Sequence, residues 1–495
     1  MQSKLLAIAK NTTTGNVCVK GASIMTPFIR ELPIRDPLEA FSALEHLPYS
    51  LLFDSADRDH PNARYSFVVS HPIETLEYKD GSMQITNWEE QLNIEGEPFK
   101  IIKERIKKWV PESQPVRGLP PFQGGLAGYF GYDVGRALEK LPQDAADNPD
   151  MPDLALGIYD QVLAFDHKKN QAWIITHAPS YHEARRKQDY VLGLIKHPTH
   201  HAPHQNTHLE WESNFDACDY MNMVDKVIEY IKAGDIFQAN VSQRFDANLP
   251  EGFSPFAHYR HLREVNPAPF AAYMNCGDIK ISSASPERFL TVKDSRVETR
   301  PIKGTRPHIA NTALDQKYRY ELENSDKDRA ENTMIVDLLR NDLSKVCKVK
   351  SIKVSELCKL ETFASVHHLV STIHGELKSG KTPLDLMKAC FPGGSITGAP
   401  KIRAMEIIEE LEPSRRGPYC GAMGYIGFDG AMDSNILIRT LVYEDRKVSF
   451  QVGGGIVADS KPEDEYQETF YKAEGLFRSF EPPRHETEEE ILRVG

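Results

Sequence analysis

The sequence predicts an α+β fold made mostly of antiparallel sheet. Two observations carry this expectation. Short apolar segments alternate with period two and are separated by turn residues such as Asp80-Gly81, the pattern of antiparallel strands. Helical periodicities fall between them irregularly, without the strict strand–helix alternation of a doubly wound parallel sheet. At 495 residues the chain exceeds one ordinary core, so two domains or one large composite are expected.

The break falls in "KHPTHHAPHQNTHLEWES", residues 196–213, which carries five histidines and two prolines. A metal-binding tract would need accompanying cysteine or acidic ligands, so an exposed linker is the simpler reading. The chain then divides into an N-terminal extension (1–21), a first domain (22–195), the linker, a second domain (214–480) and a solvated tail (481–495). In the first domain "YSLLFDS", "YSFVVSHP", "LEYKDGSMQI" and "QAWIITHAP" read as strands, and "PLEAFSALEHL" and "EPFKIIKERIKKWV" as helices. The second opens with the helix "CDYMNMVDKVIEYIKAG", where Met221, Val224, Val227, Ile228 and Ile231 recur at helical spacing and Gly234 suits the C-terminal cap. Strands follow at "FAAYMNCG", "IKISSAS" and "ERFLTVK", then one long helix over 318–346. An internal echo links "GGLAGYFGYD" (124–133) to "CGAMGYIGFD" (420–429). Both read as strands that another backbone or a ligand approaches closely.

The bulk numbers exclude several classes. A formal net charge of −12 argues against a broad nucleic-acid surface, and no apolar window is long enough to span a membrane. The seven cysteines are scattered without a CxxC pair, which suggests reduced thiols, a cytoplasmic setting and no zinc or iron–sulfur centre.

Five clusters in the second domain carry chemistry. In "SPERFL…RPIKGTR", Glu287 and Lys303 are sixteen residues apart, a spacing that allows neighbouring strands of a hairpin. A facing Lys–Glu pair suits proton transfer or nucleophilic attack, although a surface salt bridge is the simpler reading of this pair taken alone. Glu331 leads the helical stripe Ile335, Leu338 and Leu339, while Glu465 and Glu468 share a helix face. Carboxylates from two helices meeting at one point would hold Mg²⁺ for an anionic substrate, though each run alone is also a solvated helix face. "FPGGSITGAPKIRAMEIIEEL" places Pro400 at the start of a helix with the stripe Ile402, Met405, Ile408 and Leu411, its Gly/Ser entry open to an anion. "QVGGGIVADS" has Gly453, Gly454 and Gly455 after a strand, a run that lets backbone approach a ligand. His368 shares a strand face with Val366 and Val370, opposite His367.

Together these clusters resemble the chorismate-using enzymes, the family of anthranilate synthase component I, aminodeoxychorismate synthase component I and the isochorismate and salicylate synthases. The likeness rests on "PGGSITGAPK", "VDLLRNDL" and "GGGIVADSKPEDEYQET" and covers 214–480. The N-terminal part, with "GGLAGYFGYD", is similar to the matching domain of the amidating members. The resemblance implies an anthranilate synthase component I-like fold of two interlocked subdomains, with helices packed outside mostly antiparallel sheets. It implies Glu331 and Glu468 as Mg²⁺ ligands with Glu465 nearby, the metal holding the ring carboxylate of chorismate. Tyr419, Arg439, Gly304, Thr305 and the amides of Gly453, Gly454 and Gly455 would bind the substrate's carboxylates, and His368 would sit beside the leaving hydroxyl.

Within the family Lys303 sorts the activities. Members that aminate carbon 4 carry Pro-Ile-Lys-Gly-Thr, as at 301–305, where anthranilate synthases carry alanine. The resemblance implies that Lys303 adds to carbon 2 and expels the carbon 4 hydroxyl, with Glu287 as acid–base partner. Such a lysine must be partly deprotonated, and the flanking cations Arg300 and Arg306 are expected to lower its pKa. Ammonia then enters at carbon 4. The implied product is 4-amino-4-deoxychorismate, for p-aminobenzoate and folate; anthranilate is the alternative. Gln238 stands where the water-using members carry a lysine, which argues against water as nucleophile. No cysteine lies in a Gly-x-Cys-x-Gly elbow, so a separate glutamine amidotransferase subunit is implied as the ammonia source. "LLFDSA" (51–56) and "NPAPFAAYM" (266–274) lie where anthranilate synthases form a tryptophan pocket; the altered first element admits a bound structural tryptophan without feedback inhibition.

Overall fold

A computed structural model describes residues 26–109, 113–196, 207–309, 311–362 and 366–481. The N-terminal extension, most of the His-rich segment and nearly all of the C-terminal tail lie outside the described residues.

Alternating strands with one apolar face must bury that face, and here two large sheets do so against each other. Among the described residues each sheet has twelve strands, and every pairing between neighbours along its main path is antiparallel. Both sheets cross the boundary between the two expected domains. In the first, Ser50–Asp54 pairs with Phe270–Cys276, setting Leu52 opposite Tyr273. In the second, Gly125–Phe130 pairs with Ala422–Gly427, setting Gly128 opposite Gly424. The two copies of the internal echo are therefore hydrogen-bonded neighbours, joined where each needs a close backbone approach. Leu51, Phe67, Tyr129, Tyr159, Ile175, Met274, Met423 and Tyr425 fill the core between the sheets. Helices cover the outer faces: Pro37–Ser42, Tyr181–Ile195 and Pro255–Val265 contribute to one outer core, Asp326–Val346 and Pro383–Cys390 to another.

Several local expectations change. The helix expected over 318–346 is two, Thr312–Glu323 and Asp326–Val346, because Ser325 caps the second by accepting the Asp328 amide. The helix Ala217–Ala233 ends at Gly234 with φ 86° as expected; Val224, Val227 and Ile228 are buried as expected, together with Tyr220 and Met223, while Met221 and Ile231 are only partly buried. Pro400 caps the helix Lys401–Leu411 from outside, and Ile402 is exposed while Ala404 and Ile407 are buried.

A buried ion pair fixes the approach to the glycine run. Arg416 and Glu412 are almost fully buried and pair at 2.7 Å. Glu412 also accepts the Ser242 amide at 2.8 Å, and Ser242 is the strand partner of Gly453. Replacing Arg416 by methionine strands a buried carboxylate, an expected loss of about 3–5 kcal/mol read as a lower urea midpoint. An unchanged midpoint would show that the pair contributes nothing.

Candidate active site

Lys303 lies on the strand Ile302–Pro307, which pairs with Val366–Glu376. The register shifts between Lys303 and Thr305, and Gly304 takes φ +73° at the shift. A Cβ there would come within 2.8 Å of Leu322 and 2.9 Å of Asp328, so only glycine lets the bulge nest against the two helices. The expected hairpin between Glu287 and Lys303 does not form. The hairpin is Arg288–Lys293 with Arg296–Thr299, and the lysine strand departs to a different neighbour. Glu287 nevertheless reaches the lysine strand, because its carboxylate accepts the Ile302 amide and feels the Lys303 charge.

Burial dominates the electrostatics. It pushes Glu287 up from 4.5 to about 7, against the opposing pull of the Ser395 hydroxyl at 2.9 Å and of Lys303. Burial also lowers Lys303 below its ordinary value, with Lys472 as the contributing cation. Arg300 and Arg306 do not play that part: they pair with Glu361 and Asp328. Glu287's folded pKa is raised, so its neutral form stabilises the fold. That contribution is complete below the ordinary carboxylate value and is lost as pH rises through about 7. Between pH 5 and 8 the wild type is expected to lose up to about 3 kcal/mol from this group, and Glu287→Gln is expected to flatten that slope in urea titrations. A slope unchanged by the substitution would contradict the assignment.

The carboxylates expected to hold the metal lie near one another, close enough for Glu465 to act on Glu331. Glu331 is on the helix Asp326–Val346; Glu465 and Glu468 are on Pro462–Arg478. Each faces an ammonium group: Glu331 lies 3.9 Å from Lys303, Glu465 3.6 Å from Lys327 and Glu468 2.6 Å from Lys472. Burial raises the Glu331 pKa; for Glu468 burial is again the largest pull upward, but Lys472, Lys327 and Lys303 together outweigh it and the net shift is downward. The glycine run lies within the strand Lys447–Ile456, not after it, and Asn240, Val241 and Ser242 run opposite it. A Cβ at Gly454 would sit 3.1 Å from Glu465 and 3.8 Å from Glu468. One at Gly455 would overlap Gln238 and lie 3.2 Å from Lys303 Nζ. Glycine is thus what lets the carboxylates and the lysine crowd this strand. Glu331, Glu465 and Glu468 offer the oxygen donors that Mg²⁺ takes, but among the described residues their oxygens do not all lie within 4.8 Å of one another; the group of three that does is His308, Asp315 and His367.

On the other side His368 accepts or donates a hydrogen bond with Thr305 Oγ1 at 2.9 Å, and burial brings its pKa down to about 4. It is neutral at ordinary pH, suited to hydrogen bonding rather than to carrying a charge. His367 faces the opposite way, as expected, and holds Asp315 at 2.8 Å. Arg439 adopts φ 53°, and burial lowers its pKa while Tyr419 pulls the other way. No ion pair to its guanidinium occurs among the described residues, the condition of a cation that receives an anionic ligand.

Sequence reasoning missed Lys472, which donates to the Gly453 carbonyl at 2.8 Å, as well as Lys327 and Ser395. The four-residue step from Glu468 to Lys472 on one helix face was the available signal. The expected anion cradle at the Gly/Ser entry acts through the Ser395 hydroxyl on Glu287. The "LLFDSA" and "NPAPFAAYM" strands line a cavity of about 1280 Å³ with Phe53, Asp54, Phe270 and Arg288. None of Lys303, Glu287 or Glu331 lines it. No described helix is long and apolar enough to cross a membrane.

Residues 50–478 match the family model described as chorismate binding enzyme. A curated relative, aminodeoxychorismate synthase component 1 of Salmonella typhimurium, is 41% identical, covering 92% of this chain and 99% of its own. Anthranilate synthase component 1 of Thermus thermophilus is 39% identical over 90% of this chain and 96% of its own. Among solved structures, anthranilate synthase component I from Streptococcus pneumoniae superposes with a TM-score of 0.76 at 33% identity, covering 85% of this chain and 93% of that one.

Proposed function

The chain belongs to the chorismate binding enzyme family, and from that premise we propose that it is an aminodeoxychorismate synthase component I, converting chorismate and ammonia to 4-amino-4-deoxychorismate. The observation that carries the reading is Lys303: a buried amine with a lowered pKa, placed between the Glu287 and Glu331 carboxylates. A lysine so placed is a nucleophile.

In the first displacement neutral Lys303 Nζ adds to ring carbon 2. The two ring π pairs shift toward carbon 4, the C4–O bond breaks, and Glu287 gives its proton to the hydroxyl, which leaves as water. Ammonia then adds at carbon 4, the π pairs return, and the bond from carbon 2 to Lys303 breaks, freeing neutral lysine. Glu287 takes a proton from the entering nitrogen. Two displacements place nitrogen where the hydroxyl stood; one direct addition at carbon 2 leads toward anthranilate. Arg439, Tyr419, Thr305 and the amides of the glycine run hold the substrate's carboxylates, and neutral His368 contacts the departing hydroxyl. Glu331, Glu468 and Glu465 would hold Mg²⁺, which supplies positive charge to the ring carboxylate.

The sequence lacks a glutaminase elbow, so ammonia comes from a glutamine amidotransferase component. Glutamine should support no turnover by this chain alone; turnover with glutamine would refute a separate partner. The six described cysteines are all unpaired, in keeping with a cytoplasmic setting. Bound tryptophan, as a structural ligand, is assigned to the Phe53–Phe270 cavity. Release of tryptophan from denatured purified protein would support that, and none would oppose it.

Product identity tests the function. With chorismate, Mg²⁺ and an ammonium salt, the expected product is aminodeoxychorismate, convertible to p-aminobenzoate by added lyase. Anthranilate as the main product would favour the alternative, anthranilate synthase component I, and leave Lys303 without this role.

A further inference from the structure

We infer that Lys327 is a tethered competitor for the metal, its ammonium occupying the carboxylate cluster until a divalent cation displaces it; this rests on the metal reading of Glu331, Glu465 and Glu468. Three carboxylates face three lysines one to one. With all three lysines protonated the cluster is formally neutral and has little electrostatic call on an anion. Two of the three lysines belong to the site itself: Lys303 is only 12% exposed, and Lys472 is tied to the Gly453 carbonyl. Lys327 is the one at the rim, 49% exposed.

Its hold is loose. The ammonium stands 3.6 Å from Glu465 Oε1, beyond hydrogen-bond distance, while that oxygen accepts the Ser460 hydroxyl at 2.6 Å. Its charge also acts on Glu331 and Glu468. Lys327 lies in the first turn of Asp326–Val346, the positive end of the helix dipole, where a cation is disfavoured. The carboxylates offset that local penalty. Exchanging this one ammonium for a divalent ion adds one positive charge to the cluster and so favours a carboxylate ligand. Metal entry and anion binding are thereby coupled through a half-exposed side chain.

Mn²⁺ serves as the probe, since it takes the same oxygen donors, and its binding is read from loss of the free-ion paramagnetic resonance signal without substrate. Lys327→Met keeps the stem and removes the charge. It is expected to bind Mn²⁺ roughly tenfold more tightly than wild type at low salt, while Lys327→Arg stays near wild type and Glu468→Gln loses binding. If Glu468→Gln loses Mn²⁺ but Lys327→Met binds no more tightly than wild type, the competitor role is overturned and the metal site stands. If wild type binds no Mn²⁺, or Glu468→Gln binds it as well as wild type, the metal reading fails and this inference with it. Melting curves of the variants confirm that affinity is compared between folded proteins.

Discussion

Replacing Lys303 by alanine is expected to lower aminodeoxychorismate formation with ammonia by at least the roughly 10²–10⁴-fold typical of one lost acid–base group, with anthranilate as residual product. The reason is positional. Without the amine, the only nitrogen that can reach carbon 2 is ammonia itself, and nothing then directs nitrogen to carbon 4. Lys303→Arg separates charge from nucleophilicity. It keeps a cation opposite Glu331, 3.9 Å away in the native pair, but guanidinium stays protonated and does not attack. Both variants are expected to fail alike. Aminodeoxychorismate output unchanged in either would refute covalent participation.

The second large effect belongs to Glu331. Glu331→Ala removes one carboxylate from the proposed metal set and the partner of a buried ammonium in the same step. The Mg²⁺-dependent rate is expected to vanish, a loss of at least about 10²-fold. Full activity of the wild type in excess chelator would contradict the metal assignment. Glu331→Gln is informative beside it. The amide keeps the volume and a neutral oxygen, so any activity it retains over alanine measures packing rather than charge.

Much of this was legible in the residues. Alternation reveals strands such as Glu74–Lys79, buried at every second residue, and the clusters around Lys303, Glu331 and Glu468 do meet in space. Pairing was not legible. Ser50–Asp54 joins Phe270–Cys276 across more than two hundred residues, because only tertiary burial decides which apolar face meets which. The Ser325 cap was hidden inside a continuous helical period, and Ile402 was placed on the buried face although only its neighbours are covered. The source of the lysine's lowered pKa was misread for the same reason. Nearby arginines in sequence look decisive, yet each has its own carboxylate, and burial does the work. The glycine run was placed after a strand, as a stretch where backbone approaches a ligand. Here it is strand, kept bare so that Glu465, Gln238 and Lys303 can approach.

The most direct test of the covalent role is the mass of the peptide that carries Lys303. Wild-type protein would be incubated with chorismate and Mg²⁺ in the absence of ammonia, quenched, digested and analysed. The expected result is that this peptide gains the mass of chorismate less one water, with fragmentation placing it on Lys303, and that ammonium added before the quench removes it. An unmodified Lys303 peptide from protein that still makes aminodeoxychorismate once ammonium is supplied would contradict the account.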